Sequence, residues 1–165
     1  MKRFFAIGLM VTLLGACGFR PMYQAQGDDP AITQALAAIS IGDIEERLGQ
    51  KVRNELLDII TPTGEPASPT YLLQVRLVEE RDDIGLRQDA SATRANYRLQ
   101  AQFRLEEVAS ATVLIDGSSW AATAFDVVQS DYSTLMAERA AQDRLARDIA
   151  LEIRNRLAIY FGRDQ

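Results

Sequence analysis

The chain of 165 residues carries 18 Lys or Arg and 23 Asp or Glu, giving a formal net charge of −5 at pH 7, and it contains no His and a single Cys. These counts exclude zinc sites built from Cys and His and nucleophiles activated by His. No pair of carboxylates stands out as a substitute. We therefore predict a protein that is not an enzyme and has no metal or other cofactor. The negative charge also argues against a general nucleic-acid binder, because neutralising phosphates requires clustered positive charge.

The first seventeen residues have the order of an export signal. Basic residues at positions 2–3 precede an apolar stretch over 4–14, and small residues follow up to Cys17. The stretch is eleven residues long, whereas a helix needs about 20 to cross the hydrocarbon core, so a retained transmembrane anchor is not expected. The Leu-Gly-Ala-Cys ending at Cys17 resembles the lipobox of bacterial lipoproteins. This resemblance implies removal of a signal peptide over 1–16 and covalent lipid on Cys17.

Lipid on Cys17 would anchor the protein to a membrane that it does not span, because each buried methylene of an acyl chain contributes about 0.8 kcal/mol. The alternative is an ordinary signal peptide followed by an unrelated cysteine. Cleavage before Cys17 removes Lys2 and Arg3, which changes the net charge to −7. A single cysteine also excludes an intrachain disulfide framework.

Residues 17–37 predict a lipidated N-terminus and a tether, because Pro and Gly punctuate this segment. A single domain is predicted over 38–161. It begins with a short strand at 38–42, in which Ile39 and Ile41 alternate with other residues.

A helix is predicted over 44–60, where apolar residues recur at helical spacing. Asp43 fits its N-cap, and Glu46 three residues later fits the second half of a capping box. Residues 61–70 are rich in proline and predict a loop.

Two strands follow the loop. The first is predicted over 71–81, and the charged residues 82–89 predict a hairpin loop. The second, over 94–105, alternates apolar and polar residues throughout. Such alternation predicts a strand with one buried face and one solvated face.

The next segment, 112–129, contains Asp116-Gly117, which favours a bulge within one long bent strand over a two-residue hairpin turn. Trp120 lies in this segment, where small residues occupy both faces. We expect it in the core, with an exposed interface anchor as the alternative.

The last element is a helix predicted over 133–160, without Pro or Gly inside it. Ser130-Asp131 fits its N-terminal cap, and Gly162 stands where a helix commonly ends. Apolar residues mark one side and charged residues the rest, as in an amphipathic surface helix.

The predicted order, β-α-β-β-β-α, favours an α+β two-layer sandwich. A strand joined through a helix to the next strand favours a right-handed parallel crossover, and the remaining strands can form an antiparallel meander. We therefore predict a mostly antiparallel four-stranded sheet with two helices on one face and an open opposite face.

Arg76, Arg94, Arg98 and Arg104 are predicted to project from the open face. Four guanidinium groups there would invert the local sign of charge, and Arg suits bidentate binding of phosphate. They are candidates for binding a phosphorylated lipid headgroup or an acidic wall of a partner protein. The alternative is that Arg only keeps a wet sheet face soluble.

Several segments carry a family resemblance. They are Cys17-Gly18-Phe19-Arg20-Pro21-Met22-Tyr23, Leu48-Gly49-Gln50, Arg53-Asn54-Glu55-Leu56, and a long helix from Ser130-Asp131-Tyr132 through Ala137-Glu138-Arg139-Ala140 to Ile153-Arg154-Asn155-Arg156-Leu157. Together they resemble the LptE family of lipopolysaccharide-assembly lipoproteins.

The resemblance implies a lipid-anchored domain at the periplasmic face of the outer membrane. It implies a β-barrel partner, the LptD translocon, which the lipoprotein plugs, and a role in inserting lipopolysaccharide into the outer leaflet. Under this reading the four arginines are candidates for contacting lipopolysaccharide or the partner. The alternative function is a lipoprotein subunit of an ABC-type lipid transport system.

Overall fold

The computed structural model describes residues 30–86 and 92–163. Seven elements follow one another in the chain. They are α1 (Pro30–Ala37), β1 (Ile39–Ile41), α2 (Glu46–Ile60), β2 (Tyr71–Leu86), β3 (Ala92–Glu107), β4 (Thr112–Asp126) and α3 (Asp131–Arg163).

The strands form one mixed sheet in the order β1-β2-β3-β4. β1 runs parallel to β2, and the two longer pairs, β2 with β3 and β3 with β4, are antiparallel. The parallel pair arises because α2 connects its two strands and returns the chain to the starting end of the sheet. The predicted α+β class and four-stranded sheet are confirmed, although the sheet is mixed and there are three described helices instead of two.

The additional helix, α1, lies within the segment predicted to be a tether. Ile32 and Leu36 stand four residues apart and are each only 4% exposed, so one side of this short helix is part of the core. Pro30 at its first position has a preset φ and no N–H to leave unpaired, which favours a helix start. The folded part of the chain therefore includes residues 30–37, and residues 17–29, with Cys17, lie outside the described ranges.

The β2–β3 hairpin is longer than predicted. β2 continues to Leu86 and β3 begins at Ala92, so residues 82–86 belong to a strand and not to the expected loop. Asp82 pairs with Asn96 in the ladder. The charged residues of this segment indicate that it is exposed to solvent. An exposed strand tolerates them, because its backbone hydrogen bonds to β3 still form.

β4 is a single strand, as predicted, but its bulge lies elsewhere. The register shifts between Leu105 and Glu106, which pair with Ile115 and Val113, so Leu114 is the extra residue. Gly117 stays in register opposite Phe103, and a Cβ at Gly117 would lie 3.0 Å from the Phe103 ring. The glycine therefore makes room for an aromatic ring and does not form the bulge.

α3 begins and ends at other residues than predicted, whereas α2 begins later than predicted and ends at Ile60 as predicted. In α3, the Ser133 N–H donates to Ser130 Oγ at 3.4 Å, in agreement with the predicted cap. Gly162 does not end this helix, which continues to Arg163. α2 begins after Glu45, and its N-cap makes no side-chain hydrogen bond, so the prediction of Asp43 as cap was wrong.

The core lies between the sheet and the helices. The apolar face of β3 is buried along its length, as the alternation predicted, and α3 contributes an apolar stripe that includes Leu145, Ile149, Ile153 and Leu157. Within the described ranges, no helix combines the length and apolarity needed to cross a bilayer. The helices cover one face of the sheet, and the other face stays open.

A candidate binding surface on the open sheet face

The open face is formed by the even-numbered residues of β2, of β3 and, beyond the bulge at Leu114, of β4. On β3 the odd-numbered residues from Ala95 to Leu105 are buried and the even-numbered residues from Arg94 to Arg104 are exposed. Arg76 on β2 pairs with Gln102 and is also exposed, so it shares this face. The structure thus brings all four predicted arginines to one face.

The arginines are spread along the face, and acidic residues stand between them. Arg98 and Arg104 are separated along β3 by about 20 Å, at roughly 3.4 Å per residue. Arg104 Nη2 donates to Asp116 Oδ2 at 2.7 Å, and this hydrogen bond raises the pKa of the Arg104 guanidinium. Arg98 Nη1 donates to Glu80 Oε2 at 3.3 Å.

The remaining two arginines are less constrained. Arg94 stands opposite Asp126 in the ladder. Arg76 has no carboxylate within ion-pair distance among the described residues. Because carboxylates from β2 and β4 lie among the arginines, the expected inversion of charge is largely cancelled. The face is mixed in charge, and Arg76 and Arg94 are the cations most available to a ligand.

Trp120 also lies on the open face, and the expectation that it belongs to the core was wrong. It pairs with Gln100 and is 69% exposed, while its neighbour Ser119 is buried. The side chains two positions away along β4, Ser118 and Ala122, are too small to cover the indole. An uncovered Trp midway along an edge strand of the sheet has the properties of an interface anchor.

A polar cluster lies on the helix-covered face of the sheet, where Tyr97 of β3 meets Glu79 of β2 and Gln142 of α3. Tyr97 is buried, and its hydroxyl donates a hydrogen bond to Glu79 Oε2 and accepts one from Gln142 Nε2 at 3.2 Å. The pKa of Tyr97 is raised to about 12, mainly by burial and next by the hydrogen bond to Glu79. The cluster joins β2, β3 and α3 under the helix layer.

The raised pKa of Tyr97 predicts a loss of stability in alkaline solution. The folded state favours the neutral phenol, so this contribution is complete below pH 10, the ordinary pKa, and disappears as the pH rises towards 12. The free energy of unfolding, measured by urea titration from about pH 8 to about pH 12, should fall more steeply for the native protein than for Tyr97→Phe. If the free energies of unfolding of the two proteins fell in parallel with pH, the stabilising role of the neutral Tyr97 phenol would be contradicted.

Residues of the family-like segments in α2 hold the connection between β1 and α2. Gln50 Nε2 donates to the Ile44 carbonyl at 3.0 Å. Arg53 Nη2 donates to the Ile41 carbonyl and to Glu65 Oε2, both at 3.2 Å. Glu65 Oε1 in turn accepts the Ile41 N–H at 3.1 Å. These residues therefore have a structural role away from the open face.

The described part of the open face offers groups that can bind a ligand. In the part of the chain that the structure describes, no group of His, Cys, Asp and Glu is arranged to hold a metal ion. The surface can bind an anionic group through Arg and an apolar group through Trp120. The candidate site is therefore a contact surface.

Comparisons with known proteins agree with this fold. Residues 33–157 match the family described as LptE, lipopolysaccharide-assembly. An uncharacterized protein of Rickettsia prowazekii is 22% identical over 155 residues, which cover 94% of this chain and 95% of that protein. A candidate lipoprotein of Caulobacter crescentus has a TM-score of 0.68 at 23% identity, covering 81% of this chain and 97% of the other.

A minor lipoprotein of Acinetobacter baumannii gives a TM-score of 0.59 at 16% identity, over 73% of this chain and 90% of the other. At these identities the solved structures support the fold alone. The family match begins within α1 and ends within α3, so it includes all four strands of the sheet. The chain belongs to the LptE family of lipopolysaccharide-assembly proteins.

Proposed function

We propose that this protein is an outer-membrane lipoprotein that plugs and helps to assemble a β-barrel translocon of the LptD type, and that it assists insertion of lipopolysaccharide into the outer leaflet. The observation that carries the proposal is the family match over residues 33–157. The similar folds of proteins described as lipoproteins agree with it.

Lipid on Cys17 would hold the domain at the periplasmic face of the outer membrane. The first described residue, Pro30, follows Cys17 by thirteen positions. At about 3.3 Å per residue, this length allows the domain to sit up to roughly 40 Å from its anchor. The anchor would therefore determine the membrane at which the protein is held, and the length of the connecting segment would allow the domain to enter a partner.

The open face is proposed as the contact surface. Arg76 and Arg94 can donate to phosphate or carboxylate oxygens without first leaving an ion pair among the described residues. Arg104 would have to exchange Asp116 for the new anion. Trp120, on the outer strand β4, would provide apolar contact beside these groups. A ligand or partner with alternating anionic and apolar features, such as lipopolysaccharide or a barrel wall, fits this arrangement.

Crosslinking in intact cells tests the partner. A photo-crosslinking residue at Gln100 on the open face, and another at Arg139 on the exposed side of α3, would be activated by light and the products identified. We expect Gln100 to capture an outer-membrane β-barrel more efficiently than Arg139. Capture of an inner-membrane permease at both positions would support the ABC-type alternative and overturn the proposal.

Charge reversal tests the face with a matched control. Arg98 is 59% exposed at its side chain and pairs with Glu80, and Arg147 on α3 is 58% exposed and pairs with Glu55. Exposed pairs of this kind contribute about 0–1 kcal/mol, so both variants should fold. Arg98→Glu combined with Arg94→Glu should weaken binding of lipopolysaccharide or the Gln100 crosslink at least several-fold, whereas Arg147→Glu combined with Arg154→Glu on α3, which changes the charge equally, should not.

Equal effects of the two changes would mean that the open face has no special role. Binding of purified lipopolysaccharide and the yield of the crosslink are measured separately, because the first reports the lipid and the second reports the partner. Thermal unfolding of each variant provides the control for folding.

A further inference from the structure

The outer edge of β2 is mostly without a neighbouring strand. β1 pairs with β2 only from Tyr71 to Leu73, and the Gly42 N–H donates to the Leu73 carbonyl at 2.9 Å before the chain leaves the sheet. β2 itself continues to Leu86. Beyond Leu73, no other described strand lies along this edge.

The backbone groups on this edge can be identified from the alternation of the strand. Because the Leu73 carbonyl points towards β1, the N–H and C=O groups of Val75, Leu77 and Glu79 point to the same side. None of these groups has a hydrogen-bond partner among the residues that the structure describes. The even-numbered residues between them bond to β3 instead.

A groove of about 550 Å³ follows this edge. It is lined by residues of both sheet faces, such as Arg76 and Leu77, and it also reaches Arg104 and Asp116 on the neighbouring strands. Its other wall is the connection from Gly42 to Glu46 and Gly49 in α2. An extended peptide laid in the groove would reach the free backbone groups of β2.

The charge of the groove selects among peptides. Asp43, Glu45 and Glu46 line the wall formed by the connection to α2, and Glu79 lines the strand side. All four are exposed. Asp43 Oδ1 lies 3.6 Å from Arg53 Nε and Glu79 accepts a hydrogen bond from Tyr97, so Glu45 and Glu46 are the carboxylates most available to a cation. Since the connection leads from the sheet to the helix layer, these carboxylates would face one side of an added strand. That side should carry Lys or Arg, and the opposite side, near Arg76, should be neutral.

We propose that the free edge of β2 from Val75 to Glu79 binds an extended segment of a partner protein as an added strand, with Lys or Arg at alternating positions of that segment. Main-chain hydrogen bonds would give affinity and the alternating side chains would give selectivity, as in other cases of strand addition. Such binding goes beyond the proposed function, because its ligand is held by main-chain groups of β2 and by carboxylates. It needs no lipid anchor, and it shares with the open face Arg76 and Arg104, which also line the groove.

A second copy of the chain is disfavoured as the occupant. Beyond Leu77 the strand carries four carboxylates, Glu79, Glu80, Asp82 and Asp83, against one cation, Arg81. Charged residues on an edge strand discourage pairing with an identical edge, because like charges meet across the new interface. A cationic segment would meet the opposite charge and pair favourably.

The test uses the full chain in detergent and two fluorescent peptides, Lys-Thr-Lys-Thr-Lys-Thr-Lys and its counterpart with Glu in place of Lys. Binding is followed by anisotropy. We expect the Lys peptide to bind at least about tenfold more tightly than the Glu peptide, in line with charge complementarity at interfaces. Equal binding, or binding of neither peptide, would overturn the proposal.

Amide hydrogen exchange locates the binding edge without any substitution. In the free protein the amides of Val75, Leu77 and Glu79 should exchange faster than those of Arg76 and Val78, which bond to β3. The Lys peptide should slow exchange at the three odd-numbered positions. Protection elsewhere, with these amides unchanged, would place the peptide on another surface and refute strand addition here.

A proline variant provides the second test. Leu77→Pro removes an N–H that points away from β3, a position where an edge strand tolerates proline. It should abolish peptide binding, and Leu77→Ala, which loses most of the side chain but keeps the N–H, should retain it. If Leu77→Pro does not fold, as judged by circular dichroism, the exchange pattern of the native chain decides. Equal binding by the two folded variants would contradict the proposal.

Discussion

Replacement of Cys17 by Ala is expected to abolish incorporation of labelled fatty acid into this protein. In the proposed modification the lipid attaches to the cysteine sulfur, and Cys17 is the only Cys in the chain, so no other thiol can substitute. The measurement is metabolic labelling followed by isolation of the protein. Label on the Cys17→Ala chain would show that the lipid is carried elsewhere and would overturn the assignment.

Loss of the lipid should also change how the protein partitions between water and detergent. A chain that begins at Gly18, placed behind a cleavable secretory signal, avoids retention of an uncut signal peptide. It should move almost entirely from the detergent phase to the aqueous phase, because each acyl methylene contributes about 0.8 kcal/mol to partitioning. No described helix provides a spanning anchor that could replace the lipid. Persistent partitioning into detergent would contradict the prediction.

The fold could be predicted where one strand face is buried and the other solvated. β3 alternates without a break, and every odd-numbered residue from Ala95 to Leu105 is buried. The same parity placed Arg94, Arg98 and Arg104 on the open face. What a single strand cannot provide is the identity of the residues opposite. Asp116 and Glu80 reach the arginines through pairing between strands, and pairing depends on the register of distant segments.

Trp120 was misplaced because β4 lacks this alternation. Ala121 and Ala122 are adjacent and therefore point to opposite faces, so hydrophobicity does not distinguish the two sides of the strand. Gly117 marks the buried face of β4 only once the register places it opposite the large Phe103. Residues of the same parity, including Ser119 and Phe125, are buried with it.

α1 was missed for a different reason. An eight-residue helix gives only two turns of pattern, and isolated helices of this length are not stable in water. Its stability comes from burying Ile32 and Leu36 against the rest of the core. Such packing is a tertiary effect that local composition does not reveal.

Gly49 and Gly162 are both helical, but their surroundings differ. A Cβ at Gly49 would lie 2.8 Å from the Ile44 carbonyl oxygen and 2.8 Å from Ile44 Cγ2. The carbonyl is held by Gln50, and the Ile44 side chain is only 2% exposed, so neither can easily move. A Cβ at Gly162 would meet the Ile32 side chain at 3.4 Å, an ordinary contact.

Gly49→Ala is therefore expected to destabilise the protein, and Gly162→Ala to leave it unchanged or slightly more stable. Ala is favoured over Gly in a helix by about 0.8–1.0 kcal/mol, which acts in the same direction at both sites. At Gly49 overpacking costs about 1–3 kcal/mol or more and should outweigh that gain. Urea unfolding of both variants measures the difference. Equal stabilisation would mean that the turn from β1 into α2 has room for a methyl group, and the close packing of Gly49 against Ile44 would then not explain why this family-like segment carries glycine.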